Sequence, residues 1–325
     1  EVLVNKEGRD ILLYPKHLVL ATGVSGFPDV PVFPGAQNFR GTQCHSSQYQ
    51  DGREWRGKRC VVVGSNNSAH DICHDLWECE VAQVTMVQRS SSVVVRSESM
   101  ASVDPSPYHH EGSKYSIKDA DLLVASMPFK IMHRFTIDSY KRLAEIDAKF
   151  YDGLKRVGFM FDFGDDGSGL LLKYLRQGSG YYIDVGASDL LIKGEINLKS
   201  GVTLKEMKER SVVLSDNTEV EADLVVYATG YGSMNEWVAK LISREVADKV
   251  GKCWGLGSDT KKDPGPWERE IRNMWKPTQQ EGLWFHGGGF LHCRQYSLYL
   301  ALQIKARMEG IPIHVYGMGK VHHIA

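Results

Sequence analysis

Apolar and polar positions along this chain fall into short blocks, and the period changes from block to block. Residues 59–63, "RCVVV", are apolar at four of five positions, which predicts a strand. After Gly64 the period becomes helical. Ala69, Ile72, Cys73, Leu76 and Trp77 would share one face, with Ser68 and Asp71 read as a capping-box start. "VAQVTMVQRS" then predicts a second strand ending in Arg89, so residues 59–89 form one strand–helix–strand unit. Upstream, "EVLVNKEGRDILLYPKHLVLATG" reads as a hairpin followed by a strand, and prolines 28, 31 and 34 predict an extended connector.

Residues 100–180 carry mixed helical patterns, "DADLLVASMPF" and "SYKRLAEIDAKFYDGLKRV", and a glycine-rich loop, "DFGDDGSG"; they predict a helical insertion. Strand signals return at "GYYIDVG" and continue through "GEINLKSGVTLKEM" and the hairpin "RSVVLSDNTEV" to "ADLVVYATGY". The two pieces "HLVLATG" and "LVVYATG" are the same device, an apolar strand closing on Ala-Thr-Gly, and they bracket the strand–helix–strand region. Near the end, "GLWFHGGGFLHCRQYSLYLALQIKARMEG" predicts a strand, three glycines and a helix that stops at Gly310 with Pro312 beyond. A glycine run feeding a helix N-terminus accepts an anion or carbonyl oxygen; a plain tight turn is the equal alternative.

The turn "VVVGSNNSAHDI" sets Gly64, Asn66 and Ala69 where the dinucleotide fingerprint G-x-G-x-x-G/A has its three small residues. Asn66 departs from it. Asparagine tolerates positive φ better than most residues, so the turn is expected to survive while its Cβ obstructs backbone approach to a pyrophosphate. The strand after the helix ends in Gln88-Arg89-Ser90, where an arginine suits a 2′-phosphate and an acid would suit a ribose hydroxyl. NADPH is therefore favoured over NADH.

Composition narrows the classes. With 325 residues the chain is long enough for about two domains. Its formal net charge of −1 provides no field for nucleic acid or an acidic membrane surface. No apolar run approaches the roughly 20 residues of a membrane span and no signal segment opens the chain, so a cytoplasmic protein is expected. Cys44, Cys60, Cys73, Cys79, Cys253 and Cys293 include no C-x-x-C pair and no zinc spacing, which favours reduced thiols and no metal.

"FRGTQCHSSQY" fits the F-x-G-x-x-x-H-x-x-x-Y/F signature of class B flavin monooxygenases at Phe39, Gly41, His45 and Tyr49. With "YYIDVGASDLLIKGEINL" and "VVYATGY", the chain resembles the flavin-containing monooxygenases, most of all the YUCCA-like and fungal types. The resemblance implies an α/β fold of two-dinucleotide-binding, Rossmann-like architecture, with an NADPH domain inserted in an incomplete FAD domain. The expected division is 1–50 as FAD-domain remainder and linker, 51–227 as the NADPH domain with the insertion at about 100–180, and 228–325 as the C-terminal FAD part.

The implied activity transfers one oxygen atom from O2 to a small organic substrate, using NADPH and FAD, through a flavin hydroperoxide. Gly64, Ser65, Asn66, Asn67, Ser68 and Arg89 would hold NADPH. Thr22, Gly23, Thr229 and Gly230 would form the crossings beside FAD. Gly287, Gly288 and Gly289, with a helix beginning near Gln295, would face the flavin pyrimidine edge. His45 invites a catalytic role, but a hinge or hydrogen-bonding role is preferred for want of a base partner. No strand-preceded G-x-G-x-x-G for the ADP part of FAD occurs; Gly255-Leu256-Gly257 lacks a strand before it. That gap, with Glu1 in place of methionine, predicts truncation. A Baeyer–Villiger monooxygenase, a disulfide reductase and a truncated NADPH-binding regulatory protein stay open as alternatives, as does a homo-oligomer.

Overall fold

The computed structural model describes residues 1–103, 108, 115–255 and 271–313. Contacts divide the chain into two units: Glu1–Phe27, Ser116–Lys130 and Ser233–Ala325 form the first, and Pro28–Tyr115 with Ile131–Gly232 the second. Gly255-Leu256-Gly257 runs into residues 256–270, which lie outside the described residues.

In the first unit the expected hairpin is present. Strands β1 (Val2–Lys6) and β2 (Arg9–Leu13) pair antiparallel across Glu7 and Gly8, both at positive φ, the geometry that a two-residue hairpin turn requires. Strand β3 (Leu18–Leu20) carries the first Ala-Thr-Gly.

The second unit opens with β4 (Thr42–His45), then β5 (Arg59–Val63), α1 (Asn67–Glu78) and β6 (Gln83–Gln88), the strand–helix–strand unit read from the sequence. Next come β7 (Ser92–Arg96), α2 (Ser97–Val103), α3 (Ile117–Ser126) of the first unit, and α4 (Phe129–Ile146), whose residues from Ile131 belong to the second. The predicted insertion continues with α5 (Ala148–Arg156), β8 (Phe161–Asp162) and α6 (Gly169–Gln177). The chain then runs through β9 (Tyr181–Asp184), α7 (Ala187–Lys193), β10 (Asn197–Ser200), β11 (Leu204–Met207), β12 (Ser211–Leu214), β13 (Glu219–Glu221) and β14 (Leu224–Tyr227). In the first unit α8 (Asn235–Leu241), α9 (Arg244–Val250), β15 (Leu283–Phe285) and α10 (Phe290–Met308) complete the described chain.

The second unit is organised by a five-stranded parallel sheet in the order β10-β6-β5-β14-β4. The unbroken apolar runs of β5 and β14 are explained by burial on both faces. Cys60, Val62, Leu224 and Val226 face α1, with Ala69, Ile72, Cys73 and Leu76, while Val61, Val225 and Tyr227 face the antiparallel meander β11-β12-β13. Alternate residues of one strand thus feed two cores. Each fully buried Ile or Leu of α1 contributes about 1.5–3 kcal/mol, enough to fix the helix on the sheet. A smaller parallel sheet, β8-β7-β9, is also part of this unit, with Val93 and Val95 packed against Leu143 of α4. In the first unit β3 and β15 pair in parallel, with Leu20 opposite Phe285.

Two local expectations are corrected. Helix α1 is capped by Asn66 and begins at Asn67, so Ser68 and Asp71 lie inside its first turns instead of forming a capping box. Helix α10 begins at Phe290 with Gly289 as its N-cap, which puts Gln295 in the second turn rather than at the start. Glycine tolerates the extended cap conformation, so the helix starts as soon as the glycine run ends.

Candidate functional sites

The β5–α1 turn is shaped by Gly64. Its φ is +140°, and a Cβ added there would come 2.4 Å from the Ala228 carbonyl oxygen. The Gly64 N–H donates to Val87 O at 2.9 Å and the Ala228 N–H to Val63 O at 2.9 Å, so three strand ends converge where only a glycine fits. The helix then starts with Ala69 and His70 N–H groups both on Asn66 O. Among the described residues, the peptide N–H groups of residues 65–68 have no protein acceptor. A set of unclaimed N–H groups at the positive end of a 12-residue helix is an anion-binding arrangement, and it fits a pyrophosphate.

Asn66 itself corrects the expectation of positive φ. Its φ of −103° and ψ of −170° are extended backbone that any residue adopts; the left-handed demand falls on Gly64 instead. The Asn66 side chain turns to the protein interior, where the Ser92 hydroxyl lies 2.9 Å from its Oδ1, and Ser65 Oγ lies 3.1 Å from Ser92 Oγ. Asn67 Oδ1 accepts the Ile183 N–H at 3.0 Å. Both asparagines therefore brace the turn from behind. His70, wholly buried, stacks on Tyr182 at 3.8 Å and 6° and donates from Nδ1 to Asn66 O at 3.1 Å. Burial pulls its pKa down to about 4, so the ring is neutral at pH 7. The sequence carried no signal for Ser92 or Tyr182, because their contacts arise from chain segments remote from the turn. Arg89 follows the end of β6 directly, is exposed, and makes no ion pair among the described residues.

The signature strand explains itself in the same unit. Gly41 passes so close to Asp223 O that an added Cβ would sit 2.4 Å away, and Phe39 is buried against the meander core. His45 is 1% exposed. Its Nε2 lies 2.9 Å from Gly230 O and its Nδ1 3.1 Å from the Ser47 N–H, which assigns the proton to Nε2. Both nitrogens are engaged in hydrogen bonds within the protein. Tyr49 reaches α1, where its hydroxyl donates to Asp75 at 2.5 Å; burial and that carboxylate push its pKa well above the usual phenol range. The second Ala-Thr-Gly is held by Thr229 Oγ1, which donates to Asp29 O, and by the Asp29 N–H on Gly230 O at 3.0 Å. The structure thus brings Gly64 and the Ala-Thr-Gly segment together, with His45 clamping Gly230.

In the first unit the other Ala-Thr-Gly ends in Gly23 at φ +89°, close to the +86° of Gly230, so the sequence echo is also a backbone echo. Gly23 O would lie 2.3 Å from a Cβ on Gly287. Two backbones therefore touch at the C-terminal ends of β3 and β15. Gly288 is at φ +105°, and the N–H groups of residues 287–291 have no protein acceptor among the described residues. This is a second cradle for an electron-rich ligand edge. Gln295, buried, donates to the Tyr299 hydroxyl at 2.9 Å.

Beside this turn Trp275 donates from Nε1 to Gly287 O at 3.2 Å and stacks on Tyr296 at 4.1 Å and 10°. These two rings line a cleft of about 370 Å³ with Met127, Phe129, Met274 and Tyr299. Asn273 and Trp275 hold φ of +55° and +60°, strain for residues with side chains, and Asn273 Nδ2 secures it by donating to Val250 O and Lys252 O. Burial lowers His292, next to Trp275, to about 4.

Comparisons with known proteins find likenesses to redox flavoproteins. The pyridine nucleotide-disulphide oxidoreductase family matches residues 10–122. The indole-3-pyruvate monooxygenase YUCCA1 of Oryza sativa subsp. japonica is 30% identical over 251 residues, covering 76% of this chain and 55% of that one. Trimethylamine monooxygenase of Roseovarius sp. (strain 217) is 27% identical over 172 residues, 46% of this chain and 38% of that one. The chain thus spans little more than half the length of the YUCCA1 relative. Among solved structures, OTEMO in complex with FAD and NADP matches 95% of this chain and 64% of its own at 16% identity and a TM-score of 0.56. Cyclohexanone monooxygenase in its open form matches 91% and 63% at 14% identity and 0.55. By these likenesses the chain is similar to flavin-dependent monooxygenases and has the two-dinucleotide-binding, Rossmann-like fold.

Proposed function

We propose that the chain serves an NADPH- and FAD-dependent monooxygenase that places one oxygen atom from O2 on a small organic substrate. The observation that carries this reading is the β5–α1 turn, with the N–H groups of residues 65–68 unclaimed among the described residues, behind a glycine whose φ of +140° and contact with Ala228 O admit no side chain. Residues 64–68 hold the NADPH pyrophosphate, and Arg89 takes the 2′-phosphate through its planar, permanently charged fork. In the other unit Gly287, Gly288 and Gly289 bring unpaired N–H groups to the flavin's pyrimidine edge, where they favour the negative charge of its reduced form. Thr22, Gly23, Thr229 and Gly230 shape the strand exits beside the two cofactors. His45 acts as a positioning residue, holding Gly230 O. When bound, the flavin supplies hydride acceptance and oxygen activation; the chain supplies binding, orientation and exclusion of water.

For the substrate, the cleft walled by Trp275 and Tyr296 favours a flat aromatic compound. The panel to test begins with indole-3-pyruvate, trimethylamine and cyclohexanone, the compounds named for its relatives. The purified chain is supplied with FAD and NADPH, and flavin absorbance, NADPH oxidation and oxygen incorporation from labelled O2 are followed. Labelled product from the aromatic acid supports the reading. Absence of flavin bands together with absence of NADPH oxidation would sink the claim that this chain alone is an enzyme.

A further inference from the structure

We propose that Lys173 joins Arg89 in receiving the 2′-phosphate of NADPH, and that Asp162 holds this lysine at the end of β6 until the nucleotide arrives. The inference rests on residues 64–68 being the pyrophosphate turn. What stands beside Arg89 is set by Gln88, wholly buried at the last position of β6. Its Nε2 donates to Met160 O at 2.8 Å, and its Oε1 accepts the Met160 N–H at 2.9 Å. The Ser92 N–H adds a third bond to Met160 O at 3.2 Å, and β8 pairs with β7 from Phe161 to Asp162. A segment 72 positions along the chain is thereby pinned against residues 88–93. Its carboxylate, Asp162, accepts the Ser91 hydroxyl two residues beyond Arg89.

Lys173 of α6 comes to the same oxygen. Its Nζ lies 4.0 Å from Asp162 Oδ2 and 3.9 Å from Asp165 Oδ1, on a side chain only 11% exposed. Space for its stem is made by Gly180, at φ +95°, where an added Cβ would come 2.9 Å from Lys173 Cε. Charge-assisted N–H···O bonds close at about 2.7–2.9 Å, so neither carboxylate has closed on the ammonium. Among the described residues Lys173 makes no hydrogen bond. The neighbouring Asp166 differs: Arg176 binds it in two places, at 3.1 and 2.5 Å, and holds its carboxyl well below the usual range. Lys173 is thus a nearly buried cation with unused donors, brought by α6 to the carboxylate oxygen that takes the Ser91 hydroxyl, two residues beyond Arg89. A 2′-phosphate offers it charge and three oxygens; a 2′-hydroxyl offers neither and would instead meet Asp162.

The test is calorimetric titration of the full chain with NADP+ and with NAD+, comparing wild type with Lys173→Met, Lys173→Arg and Asp162→Asn. Lys173→Met is expected to weaken NADP+ about tenfold and to leave NAD+ within about twofold, with Lys173→Arg retaining NADP+ affinity. Asp162→Asn is expected to shift the preference further towards NADP+. Equal losses for both nucleotides in Lys173→Met, or an unchanged ratio, would overturn this assignment while leaving the turn intact. A wild-type chain that binds neither nucleotide would overturn the turn and this assignment together.

Discussion

Lowering the pH should loosen the nucleotide turn through a single buried ring. His70 is in the first turn of α1, wholly buried, with Nδ1–H on the carbonyl of the N-cap residue. Its folded pKa of about 4 lies below the ordinary 6.5, because burial disfavours the imidazolium. The unfolded chain therefore binds the proton more tightly. Stability from this group is complete above pH 6.5 and drains as the pH falls toward 4. Between about pH 7 and about pH 5 the loss comes to about 2 kcal/mol. The replacement His70→Phe keeps a ring on Tyr182 and removes the titration; Asn66 O retains two backbone donors, so the turn is not orphaned. Urea unfolding of both proteins at the two pH values isolates the ring, since every other titrating group is common to them. Wild type should lose about 2 kcal/mol more than His70→Phe on acidification. Equal losses would refute the argument and mean that His70 is already solvated or charged in the folded chain.

Other substitutions probe the remaining joints. Gly64→Ala drives a methyl into Ala228 O and should destabilise by about 2–5 kcal/mol, with loss of NADP+ binding in titration. Gly287→Ala meets Gly23 O at 2.3 Å and should cost a similar amount in urea unfolding while leaving NADP+ affinity in place. His45→Ala removes the donor to Gly230 O and the acceptor for Ser47, an expected loss of about 2–4 kcal/mol; unchanged stability with lost turnover would make His45 a catalytic group instead. Asn66→Gly forfeits only a brace to Ser92 and should cost under about 1 kcal/mol, with NADP+ affinity within about twofold of wild type.

How much of this was legible in the sequence follows from the range of each interaction. The strand–helix–strand unit, the hairpin at Glu7-Gly8 and the stop at Gly310 depend on neighbours in the chain, and their residues announce them. The paired Ala-Thr-Gly endings could be seen as an echo, though their shared backbone twist could not. Long-range contacts stayed hidden. Nothing local to "NNS" shows that Asn66 faces Ser92 and Asn67 faces Ile183, and so its φ was misjudged by treating the fingerprint position as if it alone set the turn. The clamp of His45 on Gly230 spans 185 positions, and the delivery of Asp162 to Ser91 spans 71. Residues of chemical interest were therefore readable by type, and their partners only by structure.

The central claim is that the N–H groups of residues 65–68 and the loop at Arg89 hold NADPH. Hydrogen–deuterium exchange of the chain with and without saturating NADP+ tests it directly, because those N–H groups have no protein acceptor among the described residues and should exchange freely in the unliganded chain. NADP+ is expected to slow exchange in peptides covering residues 64–70 and 88–92, more strongly than NAD+ does at the latter. Protection confined to other segments, or none at saturation, would contradict it.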